Sequence, residues 1–173
     1  MTWSHSPYYM TRLKKALTLK PFKKEDFPEY LSWFQDPDLN EQLGPMEKDD
    51  EWLTYAIDQQ KGLTEYVGCT YSVFQNEKLV SIIGVDFPDP TNHRYGISSI
   101  AIKPNLRERG IGSKALQELI NLHPLKSRQY WVAYVDEKNP KAKLFFEANG
   151  WTCTALPSSE NNHMYVLEYH LPR

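Results

Sequence analysis

Two glycines and two arginines in one short segment have the types and the spacing of an anion-binding loop. Arg107, Gly110 and Gly112 form the pattern Arg-x-x-Gly-x-Gly, and Arg109 lies inside it. Glycines bring no Cβ atom, so phosphate oxygens can approach the backbone N–H groups closely, and the arginines add positive charge. The segment therefore predicts a site for an anionic ligand group such as a pyrophosphate.

The elements on either side of this loop are those that such a site requires. Residues 97–102 predict a strand, and residues 110–122 predict a helix that begins at the loop. In this position the free N–H groups and the helix dipole each favour an anion by about 0.3–1 kcal/mol. The helix packs on a sheet through one apolar face, which contains Ile111, Ala115, Leu116, Leu119, Ile120 and Leu122.

The loop differs from the two commonest phosphate-binding motifs. It lacks the lysine of Gly-x-x-x-x-Gly-Lys-Ser/Thr, and in the frame Gly-x-Gly-x-x-Gly its last position is Ala115, which a dinucleotide-binding fold would tolerate. Three predicted strands precede the motif, and this order disfavours that fold.

A second helix with well-marked ends follows the next predicted strand, residues 130–135. Asn139 is a favoured N-cap residue, Pro140 suits the first helical position, and Gly150 suits the left-handed residue that ends a helix. The pattern predicts a helix over residues 140–148. Its apolar face contains Ala142, Phe145 and Phe146.

The remaining segments predict further strands and helices around this unit. Two predicted strands, residues 65–74 and 78–85, form a hairpin around the turn Gln75-Asn76-Glu77. A loop rich in Pro and Asp spans residues 86–94. The order of elements predicts one α/β domain with a mixed sheet, rather than a doubly wound parallel one. Strands are predicted at 17–20, 65–74, 78–85 and 164–170, and helices at 25–34 and 47–60, with a break at Asp36-Pro37-Asp38.

Composition excludes several classes of function. The 173 residues suffice for one domain, and a net charge of −2 with both signs interspersed offers no basic stripe to a nucleic acid. No apolar run has the length of a signal peptide or a membrane span, so we expect a cytoplasmic protein without a membrane partner. Cys69 and Cys153 have no metal-type spacing, so no metal is expected. Residues 1–15 are interpreted as an N-terminal extension of a domain spanning 16–173.

The two motifs together resemble the GNAT superfamily of N-acetyltransferases. Its signature Gln/Arg-x-x-Gly-x-Gly/Ala at a strand–loop–helix junction is met by Arg107, Gly110 and Gly112, and its second signature is similar to residues 139–151. The resemblance covers most of residues 97–151. It implies a single-domain α/β (α+β) fold with a mixed, mostly antiparallel central sheet flanked by helices, and a splayed pair of parallel strands that binds the cofactor.

The resemblance also implies acetyl-CoA as the acyl donor and a set of residues that contact it. The pantetheine arm is expected on the backbone of Ile100 and Ile102, and a backbone N–H of the same strand is expected to stabilise the oxyanion as an amine attacks. Asn139 can cap its helix and contact the cofactor region at once. The implied cofactor-binding residues are Ile100, Ala101, Ile102, Arg107, Glu108, Arg109, Gly110, Ile111, Gly112, Ser113, Asn139 and Phe146.

Two departures from the family leave the proton transfers open. Many members carry a tyrosine at the position of Phe146, where its hydroxyl can protonate the departing thiolate, and phenylalanine has no proton to give. Members often place a glutamate on the motif strand as base, but residues 96–99 contain no carboxylate. The catalytic candidates are Asp136 as preferred base through a water, Glu137 or Asp86 in its place, and Asn139.

These observations lead to one preferred function and one alternative. The preferred function is direct transfer of acetyl from acetyl-CoA to a primary amine of a small molecule, without a metal or a covalent intermediate, since neither cysteine falls in the motifs. Within enzymes, a protein N-terminus or a lysine side chain is the other acceptor, and homodimer formation is left open. The alternative is a non-catalytic acyl-CoA sensor or scaffold, which the missing tyrosine and glutamate motivate.

Acidic and aromatic residues indicate where an acceptor could bind. The aromatic set lies at helical spacing, which is more often typical of a core than of an acceptor pocket. The acidic set would suit a cationic acceptor if its members gathered at one mouth. The aromatic set is Trp33, Phe34, Trp52 and Tyr55, and the acidic set is Asp36, Asp38, Asp49, Asp50, Asp86 and Asp89.

Overall fold

A computed structural model describes residues 16–47 and 51–172. The predicted N-terminal extension, residues 1–15, and two members of the acidic set, Asp49 and Asp50, lie outside the described residues. The division into an extension and a domain therefore stays a prediction.

Within the described residues the chain forms seven strands and five α-helices. Short 3-10 turns precede and follow the first helix, at Lys24–Asp26 and Trp33–Gln35. The strands are β1 Leu17–Pro21, β2 Gly68–Gln75, β3 Lys78–Asp86, β4 Arg94–Ile102, β5 Tyr130–Asp136, β6 Thr152–Ala155 and β7 Met164–Tyr169. The helices are α1 Phe27–Ser32, α2 Pro37–Leu43, α3 Glu51–Gln60, α4 Ile111–Leu122 and α5 Pro140–Ala148.

One seven-stranded sheet, in the order β1-β2-β3-β4-β5-β7-β6, forms the centre of the molecule. Every neighbouring pair is antiparallel except β4 and β5, which are parallel. The predicted mixed, mostly antiparallel sheet flanked by helices is therefore confirmed.

The parallel strands β4 and β5 pair with each other over only the first part of their length. The register runs from Arg94 opposite Tyr130 to Ile97 opposite Ala133 and ends there, although β4 and β5 each continue for several residues. At the same point β4 bulges, because Val85 of β3 pairs with Ile97 while the preceding Gly84 pairs with Ser99. Ser98 is thus left without a partner on β3, and the two parallel strands part directly after Ile97.

A hydrophobic core lies on each face of the sheet. Helices α4 and α5 cover one face, where Ile111, Leu119 and Phe146 pack against strand residues such as Ile97 and Trp131. The first three helices cover the other face over β3 and β4, where Tyr30, Trp33 and Ala56 meet Ile82 and Ala101. Along β4, Ile97, Ile100 and Ile102 belong to the first core and Ala101 to the second, whereas Arg94 and Ser98 are exposed.

Two elements escape the sequence analysis. Residues 36–38 end the preceding helical segment as predicted, but they also begin α2. Asp36 is the N-cap residue of α2, because its Oδ2 accepts a hydrogen bond from the Leu39 amide at 3.1 Å. The edge strand β6 has four residues, too few for an alternation to stand out. Strand β4 begins at Arg94, three residues earlier than predicted, since its first residues pair with β5.

Candidate active site

The N-terminus of α4 leaves its first backbone amides free of a side-chain cap. Gly110 is the N-cap residue and has a left-handed backbone, with φ 78°, and no side chain bonds to the first turn. A residue with a Cβ atom adopts this conformation only under strain, so the turn depends on glycine. The free N–H groups therefore point out of the helix end, where an anion can accept hydrogen bonds from them.

The two loop glycines have different reasons to be glycine. No atom lies within 4 Å of the point where a Cβ on Gly110 would stand, so backbone conformation alone requires glycine there. A Cβ on Gly112 would lie 3.2 Å from Phe145 Cε2 and 3.6 Å from Ile102 Cδ1. Gly112 thus lets α4 approach α5 and β4 closely, and its missing Cβ faces protein rather than ligand space.

The two arginines of the loop also differ. The Arg107 guanidinium binds Asp36 at 2.7 Å and lies 3.7 Å from Asp38, so it ties the loop to the start of α2. This hydrogen bond holds the pKa of the Asp36 carboxyl below its usual range. Arg109 is exposed and forms no ion pair with any residue that the structure describes. Arg109 is therefore the loop cation available to an anionic ligand.

The predicted strand residues lie where β4 has left β5. Ile100 and Ile102 pack partly buried on the α4 side, whereas Ala101 is 1% exposed in the opposite core. Their side chains are therefore committed to the two cores, and the edge of β4 that faces β5 has no strand partner beyond Ile97. Backbone N–H and C=O groups on such an edge need a partner, which an extended ligand can supply.

The remaining predicted cofactor residues surround the start of α5 and the loop. Asn139 Oδ1 accepts a 3.3 Å hydrogen bond from the Ala142 amide as the N-cap of α5. Phe146 is 5% exposed and packs on Trp151, with ring centroids 4.8 Å apart. Ser113 Oγ accepts a 3.2 Å bond from Asn149 Nδ2, which joins α4 to α5, and Glu108 is exposed with φ 61°.

The candidate bases occupy different environments. Asp136 is exposed at the end of β5, and its Oδ1 accepts a 2.8 Å hydrogen bond from the Lys138 amide. Glu137 is also exposed, 3.8 Å from His163. Asp86 is partly buried at the end of β3, where burial raises the pKa of its carboxyl, and Gln59 donates a 3.4 Å hydrogen bond to it.

Sequence reasoning missed the surroundings of Asp86. In register, Asp86 stands between Gly68 on β2 and Gly96 on β4, so neither neighbouring strand places a side chain beside it. The side chain of Gln59, on helix α3, reaches the Asp86 carboxylate from the face of the sheet that α3 covers, and Gln59 is itself buried. A glycine within a strand pattern is the one signal that points to such a place, because it often marks a close approach of another group.

The aromatic and acidic residues that could form an acceptor pocket lie in different parts of the molecule. Trp33 and Phe34 are core residues, Trp52 packs on Phe22, Phe27 and Tyr30, and Tyr55 is 42% exposed. The described members of the acidic set do not share one mouth through direct contacts. Asp36 and Asp38 face Arg107, Asp86 contacts Gln59, and Asp89 caps its own loop through Thr91 and Asn92.

Two features are absent from the part of the chain that the structure describes. No group of three or more His, Cys, Asp or Glu side chains there is placed to hold a metal ion. None of the helices there is long and apolar enough to cross a bilayer.

The sequence of this chain matches one known protein family. A sequence model of the acetyltransferase (GNAT) family matches residues 19–151. An N-acetyltransferase 9-like protein of Nematostella vectensis is 25% identical over 144 residues, which cover 75% of this chain and 71% of that protein.

Solved structures of low sequence identity have the same fold. Spermidine N-acetyltransferase from Vibrio cholerae, in complex with CoA and spermine, superimposes with a TM-score of 0.67 at 13% identity, over 88% of this chain and 92% of that one. Arabidopsis thaliana Naa50, in complex with the bisubstrate analogue CoA-Ac-MVNAL, gives a TM-score of 0.60 at 18% identity, over 90% of this chain and 99% of that one.

Proposed function

The chain belongs to the acetyltransferase (GNAT) family, and from this membership we propose that it transfers the acetyl group of acetyl-CoA directly to a primary amine of a small molecule. One observation carries the proposal. The parallel strands β4 and β5 part after Ile97 and Ala133, and β4 leads from that gap into an uncapped helix N-terminus. An extended thioester arm that ends in a pyrophosphate needs this combination of an open strand edge and an anion site.

The residues fit the donor along its length. The pyrophosphate accepts hydrogen bonds from the amides of residues 110–113, and Arg109 supplies the nearby charge. The free backbone edge of residues 98–102 binds the pantetheine amides, and the start of α5 at Asn139 lies on the far side of the gap. Phe146, also on α5, is buried and holds this helix in place through its packing on Trp151.

The chemistry requires an oxyanion site and a tolerable leaving group. Bound acetyl-CoA supplies an acetyl group already activated as a thioester. A backbone N–H of β4 near the Ser98 bulge stabilises the oxyanion that forms during attack. The departing thiol, with a pKa like that of free cysteine, about 8.5, leaves without a dedicated acid, which is consistent with phenylalanine at position 146.

An acetyl-cysteine intermediate is disfavoured. Cys69 is buried, and burial raises the pKa of its thiol to about 11, so it is protonated and a poor nucleophile near neutral pH. Cys153 lies on the edge strand β6, away from the β4–β5 gap. The amine therefore attacks the thioester itself.

Two of the similar structures support a primary amine as the acceptor. One is a spermidine acetyltransferase with spermine bound, and the other carries an analogue that joins CoA to a peptide. Both acceptors present a primary amine. We assign the acceptor to the small-molecule amines, and a peptide N-terminus or a lysine side chain is the competing outcome of the test.

Binding and turnover can be measured separately. In a thermal-shift assay, acetyl-CoA at 100 times its dissociation constant should stabilise the chain by about 2.7 kcal/mol. Thiol release from acetyl-CoA is then followed with spermidine, an aminoglycoside and a short peptide as acceptors. Release stimulated by a small amine supports the proposal, release with the peptide alone reassigns the acceptor, and CoA binding without amine-stimulated release identifies a sensor or scaffold.

A further inference from the structure

Three strands form a trough in the sheet around Asp86. Gly68 of β2, Asp86 of β3 and Gly96 of β4 are direct register partners, so the carboxylate has a glycine on each side. Next to this row, Gly84 also lacks a side chain, and a Cβ there would lie 2.4 Å from Ser98 Oγ. The Ser98 hydroxyl therefore fills the space above Gly84 and closes the row at the end nearest to the bulge, so the open part of the trough lies beside Gly96.

One side of the trough is filled by Gln59. A Cβ on Gly68 would stand 2.6 Å from Gln59 Nε2 and 2.1 Å from the Val85 carbonyl oxygen, so glycine is required for the amide to reach this place. Gln59 Nε2 donates to Asp86 Oδ1 at 3.4 Å and to the Tyr66 carbonyl at 3.3 Å. The glutamine thereby fixes one carboxylate oxygen.

The other side of the trough is open. A Cβ on Gly96 would lie 3.6 Å from Asp86 Oδ2, an ordinary contact distance, and glycine leaves that volume empty. Among the described residues no lysine, arginine or histidine forms an ion pair with Asp86, and Arg94, two residues before Gly96, donates to the Tyr134 hydroxyl instead. A partly buried carboxylate without a cationic partner is costly, and a cationic ligand group would compensate it.

The open side lies close to the gap where transfer takes place. Gly96 precedes the unpaired Ser98 by two residues, which is about 7 Å along an extended strand. Successive residues of a strand face opposite sides of the sheet, and the side chain of Ile97 packs in the core beneath α4. Gly96 therefore faces the other side, and the trough opens there. A carboxylate accepts a proton from an amine at hydrogen-bond distance or through one water, so the amine must enter the open side of the trough from the gap.

We propose that Asp86 binds the ammonium group of the acceptor and accepts its proton, with Gln59 as the residue that positions the carboxylate. The inference rests on the proposed acetyl transfer. Asp86 takes one proton from the ammonium, and the freed amine forms a C–N bond with the thioester carbon. The C–S bond then breaks, and the second N–H proton goes to the departing thiolate.

Asp86 is better placed for this role than Asp136, the base preferred from sequence. Asp136 is exposed, and the Lys138 amide already engages one of its oxygens. The groups that face Asp86 are uncharged: Gln59 from α3, Gly68 from β2 and Gly96 from β4. Its burial raises the pKa of the carboxyl, which makes the carboxylate a stronger base.

The test compares Asp86→Asn with the wild type across pH, using spermidine or whichever amine of the panel is turned over. At pH 7 the variant should lose about 100-fold or more in kcat/KM for the amine, while its dissociation constant for acetyl-CoA stays unchanged. The deficit should shrink as pH rises towards the pKa of the amine, about 10.4, because the solvent then supplies free amine. A merely structural role would leave the deficit independent of pH.

A relocated carboxylate and a matched control sharpen the test. Asp86→Ala combined with Gly96→Asp moves the acid to the facing strand and should recover at least tenfold over Asp86→Ala. Asp58→Asn makes the same charge change beside Gln59 and should match the wild type. Activity of Asp86→Asn within threefold of the wild type, or a deficit that does not vary with pH, overturns the role of Asp86 alone. A wild type that binds CoA but shows no amine-stimulated thiol release overturns the transfer and this role together.

Discussion

The proposed donor loop and the proposed acceptor trough are built in opposite ways. The donor loop, residues 107–113, is continuous in sequence, and its function depends on the backbone at one helix end. The trough unites Gln59, Gly68, Asp86 and Gly96 from one helix and three strands, and only the register of the sheet brings them together. A local motif thus predicts the donor site, whereas the proposed acceptor site combines residues that no single segment contains.

This difference explains how one fold can keep its donor and change its acceptor. The amides of the α4 N-terminus exist whatever side chains surround them, provided that Gly110 holds the turn. The trough exists only because Gly68 and Gly96, the register partners of Asp86, lack side chains. Substitutions in the two regions should therefore separate donor binding from acceptor turnover.

After the Asp86 variants, Gly110→Val should have the largest effect, and this effect should fall on the donor region. The left-handed backbone at Gly110 costs a residue with a Cβ about 1–2 kcal/mol, and a β-branched side chain more. If the strain rotates the first amides of α4, the affinity for acetyl-CoA falls by about tenfold or more, as titration calorimetry would measure.

Gly62→Val is the matched control for that variant. Gly62 has a similar backbone, φ 72° against 78°, and neither glycine has an atom within 4 Å of its missing Cβ. The control should lose comparable stability and keep its acetyl-CoA affinity. Equal losses of affinity in both variants would contradict a specific role for the loop.

Gly96→Val should affect the trough and spare the donor. Valine favours strands and its Cβ fits beside Asp86, but its methyl groups occupy the volume proposed for the ammonium. We expect kcat/KM for the amine to fall by about tenfold, equivalent to about 1.4 kcal/mol, with an unchanged thermal shift by acetyl-CoA. A parallel loss of acetyl-CoA binding would show that the two regions are not separable.

Arg109→Ala should weaken donor binding modestly and in a salt-dependent way. An exposed ion pair between an arginine and a phosphate contributes about 0.2–1 kcal/mol, which corresponds to at most about fivefold in affinity. The loss should disappear at high salt, because screening removes the contribution of exposed charges. Lys78→Ala, which removes an exposed cation at the start of β3, should leave acetyl-CoA affinity unchanged at every salt concentration.

Asp36→Asn should have the smallest effect, confined to stability. Because Arg107 lowers the pKa of Asp36, the ionised carboxylate stabilises the fold above its unfolded pKa, about 3.9, and this contribution is lost as pH falls through the lower folded pKa. Asparagine can still cap α2 but carries no charge. The variant should melt slightly below the wild type at pH 7, and the gap should close below pH 4. A gap that persists at low pH would contradict the ion pair as its cause.

Local signals predicted much of the fold, including the elements that flank the proposed donor site. Asn139, Pro140 and Gly150 delimit α5 through capping preferences that act within a few residues, and the helix runs over Pro140–Ala148 as predicted. Helix α2 escaped prediction because Asp36-Pro37 both ends one helix and begins the next. Gly112 was interpreted as open to phosphate, whereas the position of Phe145, far along the chain, decides what its missing Cβ faces.

The acceptor site was less predictable for a physical reason. The sequence contained Asp86 among several carboxylates, but its value as a base depends on burial, on Gln59 and on two glycines in register with it. Strand register depends on the whole sheet, including the bulge at Ser98, and a shift of one residue would turn the carboxylate to the other face.

The most direct test of the account is a crystal structure with a bisubstrate analogue that links CoA to a primary amine. The account predicts the pyrophosphate on the amides of residues 110–113, the pantetheine between β4 and β5, and the amine nitrogen in the trough within hydrogen-bond distance of Asp86 or of one bridging water. A pyrophosphate bound away from the α4 N-terminus, or an amine on the α4 face of the sheet, would contradict it.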